Sequence, residues 1–203
     1  MERITMYTDG GCHNTGDRKG DGSYAFLIEE TSNNEYVDVF CEYVEDTTNN
    51  RMEMDAVIQG LKFVMGETVY PIGQTPQYPK VTIVSDSGYL VKGYTDPAYL
   101  DRWVTNGWKT SNNKPVQNRD MWVELQKISW HIGFNFIHIR GHNKDKNETH
   151  AFWNDICDRA CTYMINAIKI PGFFVKLRYY FKTKTFKPIE IQLVERKMED
   201  YGD

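Results

Sequence analysis

The 203-residue sequence contains no long hydrophobic run, and no segment approaches the roughly 20 consecutive apolar residues of a membrane-spanning helix. Its first residues, Met1-Glu2-Arg3, lead directly into a predicted strand, which argues against a secretory signal peptide. Only four cysteines are present, and no two of them form a Cys-x-x-Cys pair. These absences argue against a membrane-spanning or disulfide-stabilised protein and predict a cytoplasmic protein with free thiols.

Two of the cysteines, Cys157 and Cys161, are four residues apart and therefore share one face of a predicted helix. Two interpretations are open: a zinc site that also uses His150, or a pair of thiols buried in the core. We favour burial, because a cysteine without a metal or disulfide partner behaves as a small hydrophobic residue.

Acidic residues are missing from Arg159 through Ile189, although the whole chain carries a net charge of −4. Residues 166–203 contain eight Lys and Arg against five Asp and Glu, so a basic tail follows an acidic body. The net charge alone argues against a nucleic-acid partner. The tail, however, interleaves aromatic and basic residues from Phe173 to Lys184. Such a segment either binds nucleic acid by stacking and phosphate contacts or packs as a strand, and we favour packing or self-association.

Hydrophobic periodicity predicts an α/β protein with a mixed five-stranded sheet, three antiparallel strands followed by two parallel ones, and helices on both faces. The predicted strands are Ile4–Asp9, Ser23–Glu29, Glu35–Tyr43, Lys80–Ser85 and Gly133–Ile139. The predicted helices run from Asn49 to near Gly66 and over Ser87–Gly93, Pro97–Asn106, Asn118–Ser129 and Ala151–Ile168.

Two of these strands end on an aspartate. Asp9 is followed by Gly10 and Gly11, and Asp86 is followed by Ser-Gly. Taken alone, Asp9-Gly10 is typical of a hairpin turn. Parallel neighbours joined through a helix, however, bring both carboxylates to one edge of the sheet, where glycines give a ligand close access to the backbone.

Glu53, in the first turns of the helix between those strands, and Asp158 add two further acids. Carboxylate oxygens suit Mg²⁺ or Mn²⁺ better than zinc. Several carboxylates around two ions about 4 Å apart are what metal-dependent phosphodiester cleavage requires. The set of four acids therefore indicates a nuclease.

Several segments resemble, in order, the signatures of ribonuclease H, type 1. They are Tyr7–Cys12, Thr47–Met54, Ser85–Tyr89 and Arg140–His142, and Gly107–Thr110 followed by Lys114–Val116 resembles the handle of bacterial members. The resemblance covers about residues 3–165. It implies a catalytic domain at 1–168 and leaves 169–203 as a basic, aromatic C-terminal extension.

The resemblance implies an endonuclease that hydrolyses the RNA strand of RNA–DNA hybrids, leaving 3′-hydroxyl and 5′-phosphate ends, with two Mg²⁺ ions for which Mn²⁺ can substitute. It implies that Asp9, Glu53, Asp86 and Asp158 bind the metals, with Asp9 bridging them, and that His142 assists proton transfer or product release. It places Thr48 and Asn118 at a DNA phosphate, and Trp103, Trp108 and Lys109 in the handle. Contacts to RNA 2′-hydroxyls are implied for Cys12, Asn14, Asn49, Asn50 and Gly88.

The chain departs from the family pattern between His142 and Asp158, where it is longer than usual. Asp155 and Glu148 therefore compete with Asp158 as the fourth acid. We favour Asp158, because Asn154 and Cys157 have the expected spacing only from that position. The handle has Val104-Thr105-Asn106 in place of a basic cluster, which predicts a weaker grip on phosphates. The protein is expected to be a monomer.

Overall fold

A computed structural model describes residues 3–13, 19–29, 36–67, 78–97, 99–141, 149–180, 188 and 190–194. Three of the candidate site residues named above, Asn14, His142 and Glu148, lie outside the described residues. None of the helices in the described part combines the length and the apolar character needed to cross a membrane.

Within the described residues, seven strands form one sheet in the order β5-β4-β1-β2-β3-β6-β7. Their bounds are β1 Arg3–Cys12, β2 Gly20–Glu29, β3 Tyr36–Thr47, β4 Lys80–Ser85, β5 Phe134–His138, β6 Phe174–Tyr180 and β7 Glu190–Val194. The first three strands pair antiparallel, and β4 and β5 add in parallel on the other side of β1. The predicted mixed α/β sheet is confirmed, but the predicted count of five strands is too low.

The two additional strands come from the C-terminal extension. Strand β6 pairs antiparallel with β3, and β7 pairs antiparallel with β6. The pattern of alternating apolar residues in β6 places Phe174 in one core and Val175 and Leu177 in the other, all buried. Arg178, which follows Leu177, forms ion pairs with Asp38 at 2.7 Å and with Glu190 at 3.3 Å.

The helices are α1 Asn49–Glu67, α2 Gly88–Thr95, α3 Leu100–Thr105, α4 Arg119–Ser129 and α5 Thr149–Tyr163, which continues as a π-helical segment, Met164–Ile168. Side chains alternate across the sheet, so neighbours in one strand enter different cores. Met6 joins α1 and α4 in one core, which also contains Trp122. Tyr7 faces α5 in the other. The sheet is therefore covered on both faces.

Strand β1 does not end at Asp9, as the sequence had suggested. It continues through Gly10 and Gly11 to Cys12, still paired with β2 as far as the register Cys12↔Gly22. The hairpin interpretation of Asp9-Gly10 is therefore wrong, and the aspartate lies within a strand.

Candidate active site

Three acids from different parts of the chain meet at one edge of the sheet. Strands β1 and β4 are parallel, with Tyr7 opposite Val84, so Asp9 and Asp86, each two residues further on, reach the same level. The third acid, Glu53, lies near the start of helix α1. One carboxylate oxygen from each acid lies within 4.8 Å of the others. The structure thus brings together Asp9, Glu53 and Asp86 as the sequence predicted.

Gly10 explains how α1 comes so close to β1. A Cβ atom at this position would lie 2.2 Å from the backbone nitrogen of Glu53 and 2.3 Å from the carbonyl carbon of Met52. No side chain can occupy that space, because the obstacle is backbone. The missing side chain at Gly10 therefore makes room for the helix that carries Glu53, and Gly10 and Gly11 both line the cleft beside the acids.

The three acids repel one another in a poorly hydrated setting. Asp9 and Glu53 are only 7% and 8% exposed. Burial, and then the negative charges of Glu53, Asp86 and Asp158, raise the pKa of Asp9 well above its ordinary value. Burial and the charges of Asp86 and Asp158 likewise raise the pKa of Glu53. Carboxylates crowded in this way are stabilised by cations.

The hydrogen bonds of Glu53 support a cation site. Asn49 donates its side-chain N–H to Glu53 Oε1 at 3.4 Å. The other oxygen, Oε2, is buried and has no hydrogen-bond partner among the described residues. An unpartnered buried carboxylate oxygen is costly, and coordination by a hard divalent cation satisfies it. The residues present therefore fit a divalent metal ion.

Asp158 lies in the wall of the same cleft, which has a volume of about 630 Å³. Its charge contributes to the raised pKa of both Asp9 and Glu53, but it is not one of the three acids whose oxygens lie within 4.8 Å of one another. Asp155, the alternative fourth acid, also lines the cleft. Its carboxylate forms an ion pair with Arg159 Nε, at 2.8 Å. The competing charge of Arg159 makes Asp155 the weaker candidate for a metal.

Sequence reasoning did not assign roles to several residues in or beside this cleft. Asn154 is 6% exposed, and its Oδ1 has no hydrogen-bond partner among the described residues. Its spacing of four from Asp158 was the available signal, because it places both on one helix face. Arg140 adds a cation to the cleft wall. His138 donates from Nε2 to the Asp86 carbonyl oxygen at 3.3 Å.

The cysteines of α5 are buried thiols that bond to β1. Cys157 and Cys161 donate to the carbonyl oxygens of Tyr7 and Asp9, at 3.6 and 3.5 Å. The Nδ1 atom of His150 instead lies 2.9 Å from the hydroxyl oxygen of Tyr7. Burial is thus the interpretation that the structure supports for both thiols. Their contacts hold α5 against the strand that carries Asp9.

The remaining candidates surround the starts of α1 and α4. Arg51 makes a bidentate ion pair with Asp120, at 3.1 and 2.7 Å, which connects helices α1 and α4.

The residues predicted to contact the substrate lie near these helix starts. Asn118 precedes α4 and donates to the Tyr89 hydroxyl at 3.3 Å. Cys12 donates to the Thr47 carbonyl oxygen at 3.5 Å. Thr48 and Asn50 are half-buried, whereas Asn49 and Gly88 are exposed.

The handle residues lie apart from the carboxylates. Trp103 and Trp108 are half-buried and pack on the core beside α4. Trp103 lies 5.4 Å from the ring of Trp122, and Arg119 lies over Trp108 at 5.8 Å. Lys109 is exposed. None of these residues is among the described residues that line the cleft.

Comparison with known proteins agrees with this geometry. Residues 1–165 match the family model of RNase H. A ribonuclease H of Thermoanaerobacter sp. is 33% identical over 165 residues, covering 81% of this chain and 91% of the relative. A ribonuclease H of Chlorobaculum parvum is 35% identical over 159 residues, covering 78% and 92%. The solved PFV RNase H domain is similar in fold, with a TM-score of 0.61 at 19% identity over 80% of this chain and 93% of that domain.

The family match spans most of the chain, and it includes Asp9, Glu53, Asp86 and Asp158. The identity to full-length relatives exceeds 30% over the same region. We therefore conclude that this chain belongs to the RNase H family of nucleases.

Proposed function

We propose that this protein hydrolyses the RNA strand of RNA–DNA hybrids by a two-metal mechanism that leaves 3′-hydroxyl and 5′-phosphate ends. The observation that carries the proposal is the convergence of Asp9, Glu53 and Asp86 within 4.8 Å at the sheet edge, with an unpartnered buried oxygen on Glu53. Relatives of similar length that carry the name ribonuclease H support the substrate class.

The acids have distinct places in this mechanism. When bound, two Mg²⁺ ions, or Mn²⁺ in their place, would supply activated water and charge stabilisation for the leaving 3′-oxygen. We assign the bridging position to Asp9, because it is buried and experiences the charges of all three other acids. Glu53, Asp86 and Asp158 would complete the ligand set from α1, β4 and α5.

His142 is proposed to move a proton during turnover or to assist product release. It directly follows Gly141, which lines the carboxylate cleft. A histidine is suited to this work, because its ordinary pKa lies near neutral pH.

The hybrid is proposed to lie across the starts of α1 and α4. Thr48 and Asn118 would hold a phosphate of the DNA strand, and the Arg51–Asp120 pair fixes the two helix starts that carry them. Polar and small groups at Cys12, Asn14, Asn49, Asn50 and Gly88 would contact RNA 2′-hydroxyls, the feature that distinguishes RNA from DNA. Trp103, Trp108 and Lys109 would add contacts from the handle.

The extension at 169–203 is proposed to be structural and the protein to act as a monomer. The described basic residues of β6 support a structural role, because Lys176 and Arg178 both form ion pairs with Asp38. Cations already paired with carboxylates have less to offer a phosphate backbone.

Cleavage of matched RNA–DNA, RNA–RNA and DNA–DNA duplexes tests the proposed function. With Mg²⁺ present, we expect cleavage of the hybrid's RNA strand alone, and none in chelator. End-group analysis should find 3′-hydroxyl and 5′-phosphate products. Absence of cleavage, or cleavage of DNA, would contradict the proposal, and a matched preparation of the Asp9→Asn variant controls for contaminating nuclease.

The fourth ligand is tested by comparing Asp158→Asn with Asp155→Asn. We expect Asp158→Asn to lower kcat about 10- to 100-fold and to raise the metal concentration needed for half-maximal activity, because it removes a negative charge from the wall of the carboxylate cleft. Asp155→Asn should change kcat by less than about threefold, because its main partner is Arg159. The assignment is wrong if the larger loss follows Asp155→Asn.

A further inference from the structure

The end of strand β5 contacts Asp86 from the neighbouring position in the sheet. Strands β4 and β5 are parallel, and Ser85 is paired with His138. The Ile139 backbone N–H continues this pairing with a 3.1 Å hydrogen bond to the Ser85 carbonyl oxygen. The chain after β5 therefore runs alongside the residue that follows β4, which is Asp86.

His138 holds the backbone of Asp86. Its Nε2 lies 3.3 Å from the Asp86 carbonyl oxygen, and since a carbonyl only accepts hydrogen bonds, Nε2 is the donor. The same nitrogen is the heavy atom closest to the open space beside Gly88, at 3.9 Å from an ideal Cβ there. His138 thus lies beside the turn between β4 and α2. Since β5 and β1 flank β4 on opposite sides, His138 approaches this turn from the side opposite to β1.

Gly141 contacts the carboxylate of Asp86. An ideal Cβ at Gly141 would lie 2.4 Å from Asp86 Oδ2 and 3.3 Å from its Cγ. The φ angle of Gly141 is not positive, so its backbone conformation is open to other residues. Among the described residues, the three heavy atoms nearest to that ideal Cβ all belong to Asp86, so Gly141 lies directly against this side chain and limits the directions that it can take.

We propose that His138 and Gly141 are positioning residues for Asp86: the end of β5 fixes the backbone and the side-chain direction of this acid so that its oxygen points at Asp9 and Glu53. This inference rests on the proposed metal-dependent function. A carboxylate on a short side chain rotates freely unless its neighbours restrict it, and residues that orient a ligand contribute strongly to metal affinity. Asp86 is half-buried as a residue, so the direction of its side chain depends on the neighbours that contact it.

Gly141→Ala is the sharpest probe, because its methyl group displaces the carboxylate while the backbone stays allowed. We expect the Mn²⁺ concentration for half-maximal thermal stabilisation of the protein to rise about 10-fold or more, and kcat to fall by a similar factor. Gly133→Ala is the matched control. It lies just before β5, has nothing within 4 Å of its ideal Cβ, and should leave both quantities within about twofold of wild type.

His138 is tested by two substitutions. His138→Ala removes the donor and should raise the Mn²⁺ half-saturation of thermal stabilisation about three- to tenfold, the equivalent of one hydrogen bond. His138→Gln should restore most of the loss, because its amide nitrogen is as many bonds from Cβ as Nε2 is in histidine. His131→Ala, an exposed histidine before β5, controls for loss of a surface imidazole.

The outcomes separate this inference from the proposed function. If wild type binds Mn²⁺ and cleaves hybrids but Gly141→Ala and His138→Ala bind Mn²⁺ as wild type does, the positioning role is overturned. If His138→Ala lowers cleavage and leaves Mn²⁺ half-saturation unchanged, His138 does not act through Asp86, and its positioning role is also overturned. If wild type shows no metal-dependent stabilisation at all, the proposed function itself fails. A cooperative melting curve in chelator for each variant shows that it folds.

Discussion

An Asp9→Asn variant is expected to lose hybrid cleavage by a factor of about 1,000 or more while it keeps its fold. The substitution preserves size and removes the charge proposed to bridge two cations. Stabilisation of reaction charge by metal ions contributes several kcal/mol, and each 1.36 kcal/mol corresponds to about a tenfold change in rate. Steady-state cleavage of a labelled hybrid in Mg²⁺ measures the loss.

The same variant should not be less stable than wild type in chelator. Burial, and then repulsion by the negative charges of Glu53, Asp86 and Asp158, raise the pKa of Asp9. Replacing one member of a repelling group with a neutral amide relieves that repulsion. Thermal unfolding without metal should therefore give an equal or higher Tm. With Mn²⁺, wild type should gain more stability than the variant, because stabilisation follows binding to the folded state.

Asp55→Asn is the matched control for this experiment. Asp55 is also on α1, two residues after Glu53, but is not among the described residues that line the cleft. Asp55 is half-buried, but Asp55→Asn preserves size and removes none of the four acids of the cleft, so cleavage should stay within about twofold of wild type. Substantial activity in Asp9→Asn, or an equal loss in Asp55→Asn, would contradict the assigned role of Asp9.

Removal of residues 170–203 is expected to destabilise the whole protein to the point of unfolding or aggregation. The deletion removes β6 and β7 and uncovers β3 along the register from Tyr36 to Cys41. It also removes Phe174, Val175, Leu177 and Tyr179, which are all buried. Each such side chain contributes roughly 1.5–3 kcal/mol on burial, against a total stability of about 5–15 kcal/mol for a typical domain.

A point substitution tests this structural role without removing the segment. Leu177→Ala should lower the free energy of unfolding by about 2–5 kcal/mol, because Leu177 is fully buried between β3, β7 and α5. Gln192→Ala, at an exposed position of β7, should change it by less than about 0.5 kcal/mol. Urea unfolding measures both.

Hybrid binding by these variants distinguishes the two roles considered for the extension. If the extension is structural, folded Leu177→Ala should show wild-type affinity and an unchanged slope of log affinity against log salt. A stable truncated protein that binds hybrids more weakly, with a shallower salt slope, would instead make the extension part of the binding surface.

Much of the structure of the catalytic domain, residues 1–168, could be predicted from the sequence. Lys80–Ser85 is a strand with the predicted bounds, because a short apolar run between polar segments has few other solutions. Asp9, Glu53 and Asp86 were predicted to meet because parallel strands joined through a helix place their ends together. The alternation in β6 was visible as well, but it did not show which strand β6 would join.

The types of most elements, and the acids Asp9, Glu53 and Asp86, were thus determined by the sequence alone, because periodicity and short motifs are local properties of the chain. Only the tertiary structure decided which distant residues touch. It showed that Gly10 makes room for α1, that Cys157 and Cys161 bond to β1, and that β6 extends the sheet at β3. It also brought His138 and Gly141 to Asp86. Such contacts depend on the packing of whole elements, which no local pattern encodes.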